Sequence, residues 1–220
     1  MTTLHKLPLL LATGFLSLGS LASAADHAAF TPVSADSALK KLVAGNARFA
    51  KNDVTSGKPV AAKRAETAQT QHPFAIVVGC ADSRTSPELV FDQNIGDLFV
   101  VRTAGNLVDD YALGSIEYAV AHLGSRLIVV LGHERCGAVK AAVASGSAPG
   151  HVGSIVSEIR PAVKATKDMA GDALVNAIQE NVNRVAKKIA KESKLGEAAP
   201  EVKVVKAYYD LDSGKVSWLE

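Results

Sequence analysis

The chain has 220 residues, of which 48% are hydrophobic and 21% are charged, and its formal net charge is +2. This is the composition of an ordinary globular protein, and the length predicts one α/β domain with a sizeable core. The small net charge and the absence of an arginine-rich stripe with interleaved aromatic residues argue against nucleic acid as a partner.

The N-terminal segment has the pattern of a secretory signal peptide. Lys6 gives a short positive region, an uncharged apolar stretch runs from Leu7 to Leu21, and Ala22-Ser23-Ala24 has the small residues of a cleavage site. An uncleaved membrane anchor is the alternative, but the apolar stretch is short for a spanning helix. We expect residues 1–24 to be removed and residues 25–220 to form a single domain, periplasmic or secreted, with no membrane segment.

An amphipathic helix is predicted from about Ala38, with Asp36 and Ser37 as candidate caps and with basic residues between its apolar positions. A second, short helix is expected around residues 61–70. The apolar positions of the first helix are Leu39, Leu42, Val43, Ala47 and Phe49.

Three continuous apolar runs follow, from Phe74 to Cys80, Leu98 to Val101 and Leu127 to Leu131. Continuous runs are typical of strands that are covered on both faces, as in a parallel sheet. Helices are predicted from Gly114 to Leu123, between the second and third runs, and from Ala138 to Ala144. The alternation predicts an α/β fold with a mostly parallel sheet flanked by helices.

The C-terminal part is predicted to be helical after Ser154 and then to return to the sheet. An apolar stripe from Leu174 to Ile189 recurs at helical spacing, which indicates core packing. Val202 to Tyr209 is a further strand. Turn residues from Asp212 to Lys215 lead into Val216 to Leu219, so we expect an antiparallel C-terminal edge hairpin.

Two polar segments stand where predicted strands end. Cys80 closes the first strand, while His133 and Cys136 follow the third, and the carboxyl ends of strands in such sheets meet at one edge. Two thiolates and an imidazole suit zinc, and three protein ligands leave a fourth position open. A Cys80–Cys136 disulfide is the alternative in an oxidising compartment, although it leaves His133 unexplained.

Asp82 and Arg84 flank Ser83 directly after the first strand. They can form a bidentate carboxylate–guanidinium pair beside a metal, in which Arg84 keeps Asp82 ionised to accept a hydrogen bond. The alternative is a solvated ion pair of little energetic value.

The segments Cys80-Ala81-Asp82-Ser83-Arg84 and Gly132-His133-Glu134-Arg135-Cys136-Gly137 together closely resemble the β-class carbonic anhydrases, here of an exported bacterial type. The likeness extends through residues 86–88, 101–106 and 115–119. It implies reversible hydration of CO2 to bicarbonate and a proton by a zinc-bound hydroxide. It also implies one Zn²⁺ per chain and a homodimer or homotetramer.

The resemblance assigns roles to individual residues. Cys80, His133 and Cys136 would be permanent zinc ligands. Asp82 would orient the metal-bound water or, in a closed form, become a fourth ligand, and Arg84 would hold it away from the metal.

Three further residues match substrate-binding positions of the family. Gln71 would hydrogen-bond substrate, often from across a dimer interface, or would be a solvated loop residue. Phe99 would line an apolar wall, or would be a core residue. Gly105 would present its backbone N–H near the substrate.

One departure from the family pattern lies at Val77, where some bacterial members carry a tryptophan that helps to form a non-catalytic bicarbonate pocket. Arg102 matches another member of that pocket but cannot build it alone. We therefore expect an open site, with Asp82 off the metal and weak or absent bicarbonate inhibition. Two thiolate ligands also predict activity that rises toward alkaline pH.

Two competing functions stay open at this point. Hydrolysis of a related small molecule, such as carbon disulfide, would use the same fold and zinc. An exported binding or interaction module, cross-linked by a Cys80–Cys136 disulfide, would need no zinc.

Overall fold

Within the part of the chain that the structure describes, five strands form one sheet: β1 (Ala75–Cys80), β2 (Leu98–Thr103), β3 (Leu127–His133), β4 (Lys203–Tyr209) and β5 (Val216–Leu219). Their order across the sheet is β2-β1-β3-β4-β5. All neighbouring pairs are parallel except β4 and β5, which are antiparallel, so the predicted fold class is confirmed.

The computed structural model describes residues 30–57, 59–145, 148–193, 195–199 and 201–220. The signal peptide predicted over residues 1–24 lies outside them. Within the described part of the chain, no helix is both long and apolar enough to cross a membrane. The helices are α1 (Ala35–Ala50), α2 (Val60–Thr67), α3 (Pro87–Val90), a 3-10 helix (Ala104–Asn106), α4 (Asp110–Ala121), α5 (Gly137–Ser145), α6 (Val152–Ala165), α7 (Ala173–Glu192) and α8 (Leu195–Ala198).

The sheet is covered on both faces, which explains the continuous apolar runs. Every residue of β1 and β3 is buried. Successive strand residues point to opposite faces, so Ile76 and Val78 join one cluster while Ala75 and Val77 join the other. The first cluster includes residues of α4 and α7, and the second includes residues of α1 and α3.

The N-termini of two helices differ from the sequence prediction because their caps lie further upstream. Helix α1 begins at Ala35 since Ser34, rather than Asp36 or Ser37, is the N-cap and accepts a hydrogen bond from the Ser37 N–H. Helix α4 begins four residues before the predicted Gly114, because Asp109 caps it. The short helices α3 and α8 were not predicted.

The apolar stripe of α7 packs on β3, as predicted for core residues. A side chain at Gly132 would place its Cβ 2.5 Å from Val182 Cγ2 and 3.1 Å from Ile178 Cγ2. Glycine at this position therefore allows α7 to approach the end of β3. This close packing fixes the strand end that carries His133.

Candidate metal centre

The ends of β1 and β3 bring three candidate ligands together. The sulfurs of Cys80 and Cys136 and a ring nitrogen of His133 all lie within 4.8 Å of one another. All three residues are buried, and both cysteines are free thiols. Because β1 and β3 are parallel neighbours, their carboxyl ends meet at this edge of the sheet.

The His133 ring is oriented by its own turn. Its Nδ1 lies 2.8 Å from the carbonyl oxygen of Glu134, which as an acceptor requires the proton on Nδ1. The other nitrogen, Nε2, is buried and has no hydrogen-bond partner among the described residues. A buried lone pair without a donor fits a metal ligand, since a metal ion supplies the missing partner.

Cys80 is poised to be a thiolate. Its Sγ accepts a hydrogen bond of 3.3 Å from the Gly105 N–H. The hydrogen bonds from Cys136 and from the Gly105 backbone lower the pKa of Cys80, while burial opposes this shift. These hydrogen bonds therefore favour the thiolate form of Cys80.

Cys136 stands at the start of α5 and behaves differently. Its hydrogen bond to Cys80, reinforced by burial, raises the pKa of Cys136, so this thiol keeps its proton. The backbone N–H groups of Ala138 and Val139 act in the opposite direction. A divalent cation would replace the shared proton and ionise both thiols, so these residues fit a metal with thiolate and imidazole ligands.

The Asp82 carboxylate lies beside the cluster in a bidentate pair with Arg84. Arg84 Nε is 2.9 Å from Asp82 Oδ1, and Arg84 Nη2 is 2.7 Å from Oδ2. Asp82 Oδ2 lies 3.9 Å from His133 Nε2. The hydrogen bonds from Arg84 hold the pKa of Asp82 well below its usual range, against the effect of burial, so the carboxylate stays ionised.

The loop that carries Cys80 and Asp82 is held from the neighbouring strand. Arg102 on β2 donates from Nε to the Cys80 carbonyl at 2.8 Å and from Nη2 to the Asp82 carbonyl at 2.6 Å. Thr85 Oγ1 donates to the Asp82 carbonyl at 3.0 Å. The sequence pattern relates Arg102 only to a bicarbonate pocket. Its role in binding backbone carbonyls cannot be predicted from the sequence, because every residue has a carbonyl group.

Gly105 is supported by a residue that the sequence did not single out. It adopts a φ of 75°, in the left-handed region that favours glycine, and a Cβ there would lie 2.8 Å from Ile159 Cδ1 and 3.3 Å from Ala138 Cβ. The buried Asn181 side chain on α7 donates from Nδ2 to the Gly105 carbonyl at 2.9 Å. Asn181 thereby steadies the residue whose N–H reaches Cys80. The Gly105 N–H is thus directed at sulfur, and its predicted contact with substrate stays a prediction.

The structure does not bring Gln71 or Phe99 to the cluster within one chain. Gln71 is exposed and precedes β1, so the length of that strand, roughly 20 Å, separates it from Cys80. Phe99 pairs with Ile76 on β1, not with the strand end, and packs against a core cluster. Their roles toward substrate stay predictions.

Comparison with known proteins points to a single family. A sequence model described as carbonic anhydrase matches residues 75–216. The chain is 41% identical to "Carbonic anhydrase 2" of Mycobacterium tuberculosis over 191 residues, which cover 84% of this chain and 91% of that protein. It is 42% identical to a carbonic anhydrase of Mycolicibacterium smegmatis over 193 residues, 84% and 92% of the two chains.

Solved structures agree with these sequence matches. The Coccomyxa β-carbonic anhydrase in complex with acetazolamide is 30% identical, with a TM-score of 0.64 over 82% of this chain and 86% of that one. A β-carbonic anhydrase of Aspergillus fumigatus is 28% identical, with a TM-score of 0.67 over 79% and 89% of the two chains. The chain therefore belongs to the β-class carbonic anhydrases, a family of metal-dependent enzymes.

Proposed function

We propose that this protein catalyses the reversible hydration of CO2 to bicarbonate and a proton, with one Zn²⁺ held by Cys80, His133 and Cys136. The main support for this proposal is the buried cluster of these three residues. Two cysteine sulfurs and a histidine nitrogen lie within 4.8 Å of one another. An ionised carboxylate, that of Asp82, lies 3.9 Å from His133 Nε2.

The donor set favours zinc over other common cations. Thiolate and imidazole ligands suit zinc, whereas magnesium and calcium prefer oxygen. Three protein ligands also leave a fourth position, as catalytic zinc sites require. When bound in such a site, zinc acts as a Lewis acid that lowers the pKa of water to about 7.

The neighbouring residues would prepare the reacting groups. Asp82, held ionised by Arg84, would accept a hydrogen bond from the reacting water and so orient its lone pair toward CO2. Gly105 would steady the Cys80 thiolate through its N–H. The two thiolates place negative charge at the site, so we expect activity to rise from mildly acidic to alkaline buffers; a flat profile would contradict this.

The proposed assembly is a homodimer or homotetramer. Gln71 is exposed and lies at the far end of β1 from Cys80, so it could meet substrate only at the metal centre of a second copy. Light scattering on purified protein tests the assembly. A monomer with full hydration activity would contradict a role for Gln71 across an interface.

We also propose that bicarbonate does not switch this site off. Val77 is fully buried in the core cluster beneath α1, and both Arg102 contacts go to backbone carbonyls. These features leave Arg102 committed to holding Asp82 and its loop. An experimental structure near neutral pH with Asp82 bound to the metal, or strong bicarbonate inhibition, would contradict the proposal.

Export is a proposal that rests on the sequence of residues 1–24 alone. N-terminal sequencing of the mature protein and fractionation of the source cells would test it. A mature chain that begins near Ala25 supports export, and an intact N-terminus in the cell interior contradicts it.

Stopped-flow CO2 hydration with and without a zinc chelator tests the proposed function. We expect activity that the chelator removes and that zinc restores, together with about one zinc per chain and two titratable thiols after denaturation. Activity on carbon disulfide without CO2 hydration would favour the other enzyme. A Cys80–Cys136 disulfide without zinc would favour a binding module.

A further inference from the structure

Arg135, between the candidate ligands His133 and Cys136, has an unusual backbone. Its φ of 53° lies in the left-handed region, which a non-glycine residue occupies only when its surroundings hold it there. The peptide that joins Glu134 to Arg135 carries the carbonyl that binds His133 Nδ1 at 2.8 Å. The conformation of Arg135 therefore determines where that carbonyl points, and with it the orientation of the His133 ring.

The last residue of β4 and the turn between β4 and β5 hold this segment through three contacts. The Glu134 N–H donates to the Tyr209 carbonyl at 2.8 Å, and the Leu211 N–H donates to Glu134 Oε2 at 3.0 Å. Arg135 forms a bidentate pair with Asp212, in which Nη2 lies 2.6 Å from Oδ1 and Nη1 lies 3.0 Å from Oδ2. Arg135 Nη2 also lies 3.3 Å from Glu134 Oε2.

The turn between β4 and β5 is itself held by several hydrogen bonds. Asp210 Oδ1 accepts hydrogen bonds of 2.7 Å from both the N–H and the hydroxyl of Ser213. The buried Asn46 of α1 donates to the Gly214 carbonyl at 2.9 Å and accepts from the Val216 N–H at 2.8 Å. A turn tied to a helix on one side can hold a strained segment on the other.

We infer that the β4–β5 turn is a positioning device for the metal centre, in which Asp212 acts through Arg135 and Glu134 on His133. Glu134, Arg135 and Asp212 are then positioning residues that touch neither metal nor substrate. The inference rests on the proposed function only in taking His133 as a metal ligand. Mutation of the outer partners that orient a ligating histidine typically lowers metal affinity by about 10- to 100-fold.

Zinc affinity of the purified full chain, measured by competition with a chromophoric chelator, tests the inference. We expect Asp212→Ala to weaken zinc binding about tenfold. We also expect it to change the thiolate-to-metal absorption of the cobalt-substituted protein. Glu201→Ala is the matched control. Glu201 is also an exposed partner of an arginine, Arg126, but it precedes β4, whereas Asp212 follows that strand.

A double-substitution cycle separates positioning from general loss of structure. Glycine tolerates a φ of 53° without support, so Asp212→Ala should have little further effect on zinc affinity in an Arg135→Gly background. Should Asp212→Ala fail to fold by circular dichroism, Asp212→Asn, which keeps the side-chain size, carries the same comparison.

Zinc affinity in Asp212→Ala within twofold of the wild type, an equal loss in Glu201→Ala, or additive effects in the cycle would each overturn the inference. Failure of the proposed function has a different signature. A wild-type chain that binds zinc but does not hydrate CO2 would overturn the function and leave the positioning test intact.

Discussion

The two loops that carry the candidate ligands are held in different ways. The loop at Cys80 is fixed at its backbone, because Arg102 and Thr85 donate to its carbonyl oxygens from positions close to the sheet. The loop from His133 to Cys136 is fixed largely through side chains, including an ion pair whose Asp212 side chain is 71% exposed.

This difference indicates how rigidity is distributed around the metal centre. A guanidinium that binds two carbonyls holds its loop in one geometry at little cost in side-chain freedom. An exposed ion pair is normally weak, and matters here only because it holds a strained backbone. We therefore expect the Cys80 loop to be the more sensitive of the two to loss of its support.

Loss of a candidate metal ligand should have the largest effect on activity, and the effect should be similar for a ligand from either loop. We expect Cys80→Ala and His133→Ala each to lower CO2 hydration by about a hundredfold or more, because zinc loses one of three ligands. Stopped-flow rates and zinc content measure this. His151→Ala, a change at an exposed histidine, should keep its zinc. Full zinc content and activity in either ligand variant would contradict the assignment.

Loss of Arg102 should have the next largest effect. Arg102→Leu removes the donors to the Cys80 and Asp82 carbonyls, so we expect zinc affinity to fall by about 10- to 100-fold. The free energy of unfolding should fall by about 1–2 kcal/mol. Chelator competition and urea denaturation measure both quantities. An effect smaller than that of Asp212→Ala would reverse the proposed ranking of the two loops.

Loss of Arg84 should act through the pH profile. Arg84 holds the pKa of Asp82 below its ordinary value, so Asp82 stays ionised through the acidic range. In Arg84→Ala that pKa should return toward about 4, so protonation of Asp82 should add a further loss of activity near pH 4 and below. We also expect kcat/KM at neutral pH to fall about tenfold, with partial recovery in Arg84→Lys. An unchanged acid limb would contradict this role.

The same pair links stability to pH. Because the pKa of Asp82 is lowered in the folded state, its contribution to stability is present above the unfolded pKa of about 4. The contribution is lost as the pH falls toward the lowered value. Urea denaturation of the wild type and Arg84→Ala should therefore differ at neutral pH and converge in strong acid.

The smallest effect is expected at Asn181. Asn181→Leu leaves the Gly105 carbonyl without its donor, so we expect a loss of about 1–2 kcal/mol in the free energy of unfolding. Zinc affinity should fall only severalfold, since the Gly105 N–H can still reach Cys80. Asn183→Leu, a change on the same helix, is the control for denaturation and chelator competition. Equal effects of the two changes would remove Asn181 from the support of the site.

Most of the sheet and the three candidate ligands could be predicted from the sequence, for a physical reason. Strands buried on both faces are continuously apolar, so their ends are marked by the first polar or chemically reactive residues, Cys80 and His133. The parallel arrangement then places those ends together. Helix starts were less predictable, because Ser34 caps α1 from outside the apolar pattern.

The supports of the site were not predictable from residue types. Arg102 binds backbone carbonyls, which every residue possesses. Arg135 and Asp212 are 77 positions apart, and nothing in either local pattern indicates the other. The backbone strain at Arg135 is likewise visible only in the folded chain, where the β4–β5 turn meets the metal-binding segment.

Titration of the metal-free protein with zinc, with hydration activity and free thiols followed together, tests whether Cys80, His133 and Cys136 bind a catalytic ion. We expect activity to rise in proportion to added zinc and to saturate at about one ion per chain, as Cys80 and Cys136 become protected from a thiol reagent. Activity that is present before zinc is added, or thiols that stay reactive at saturation, would contradict a zinc ion bound by Cys80, His133 and Cys136.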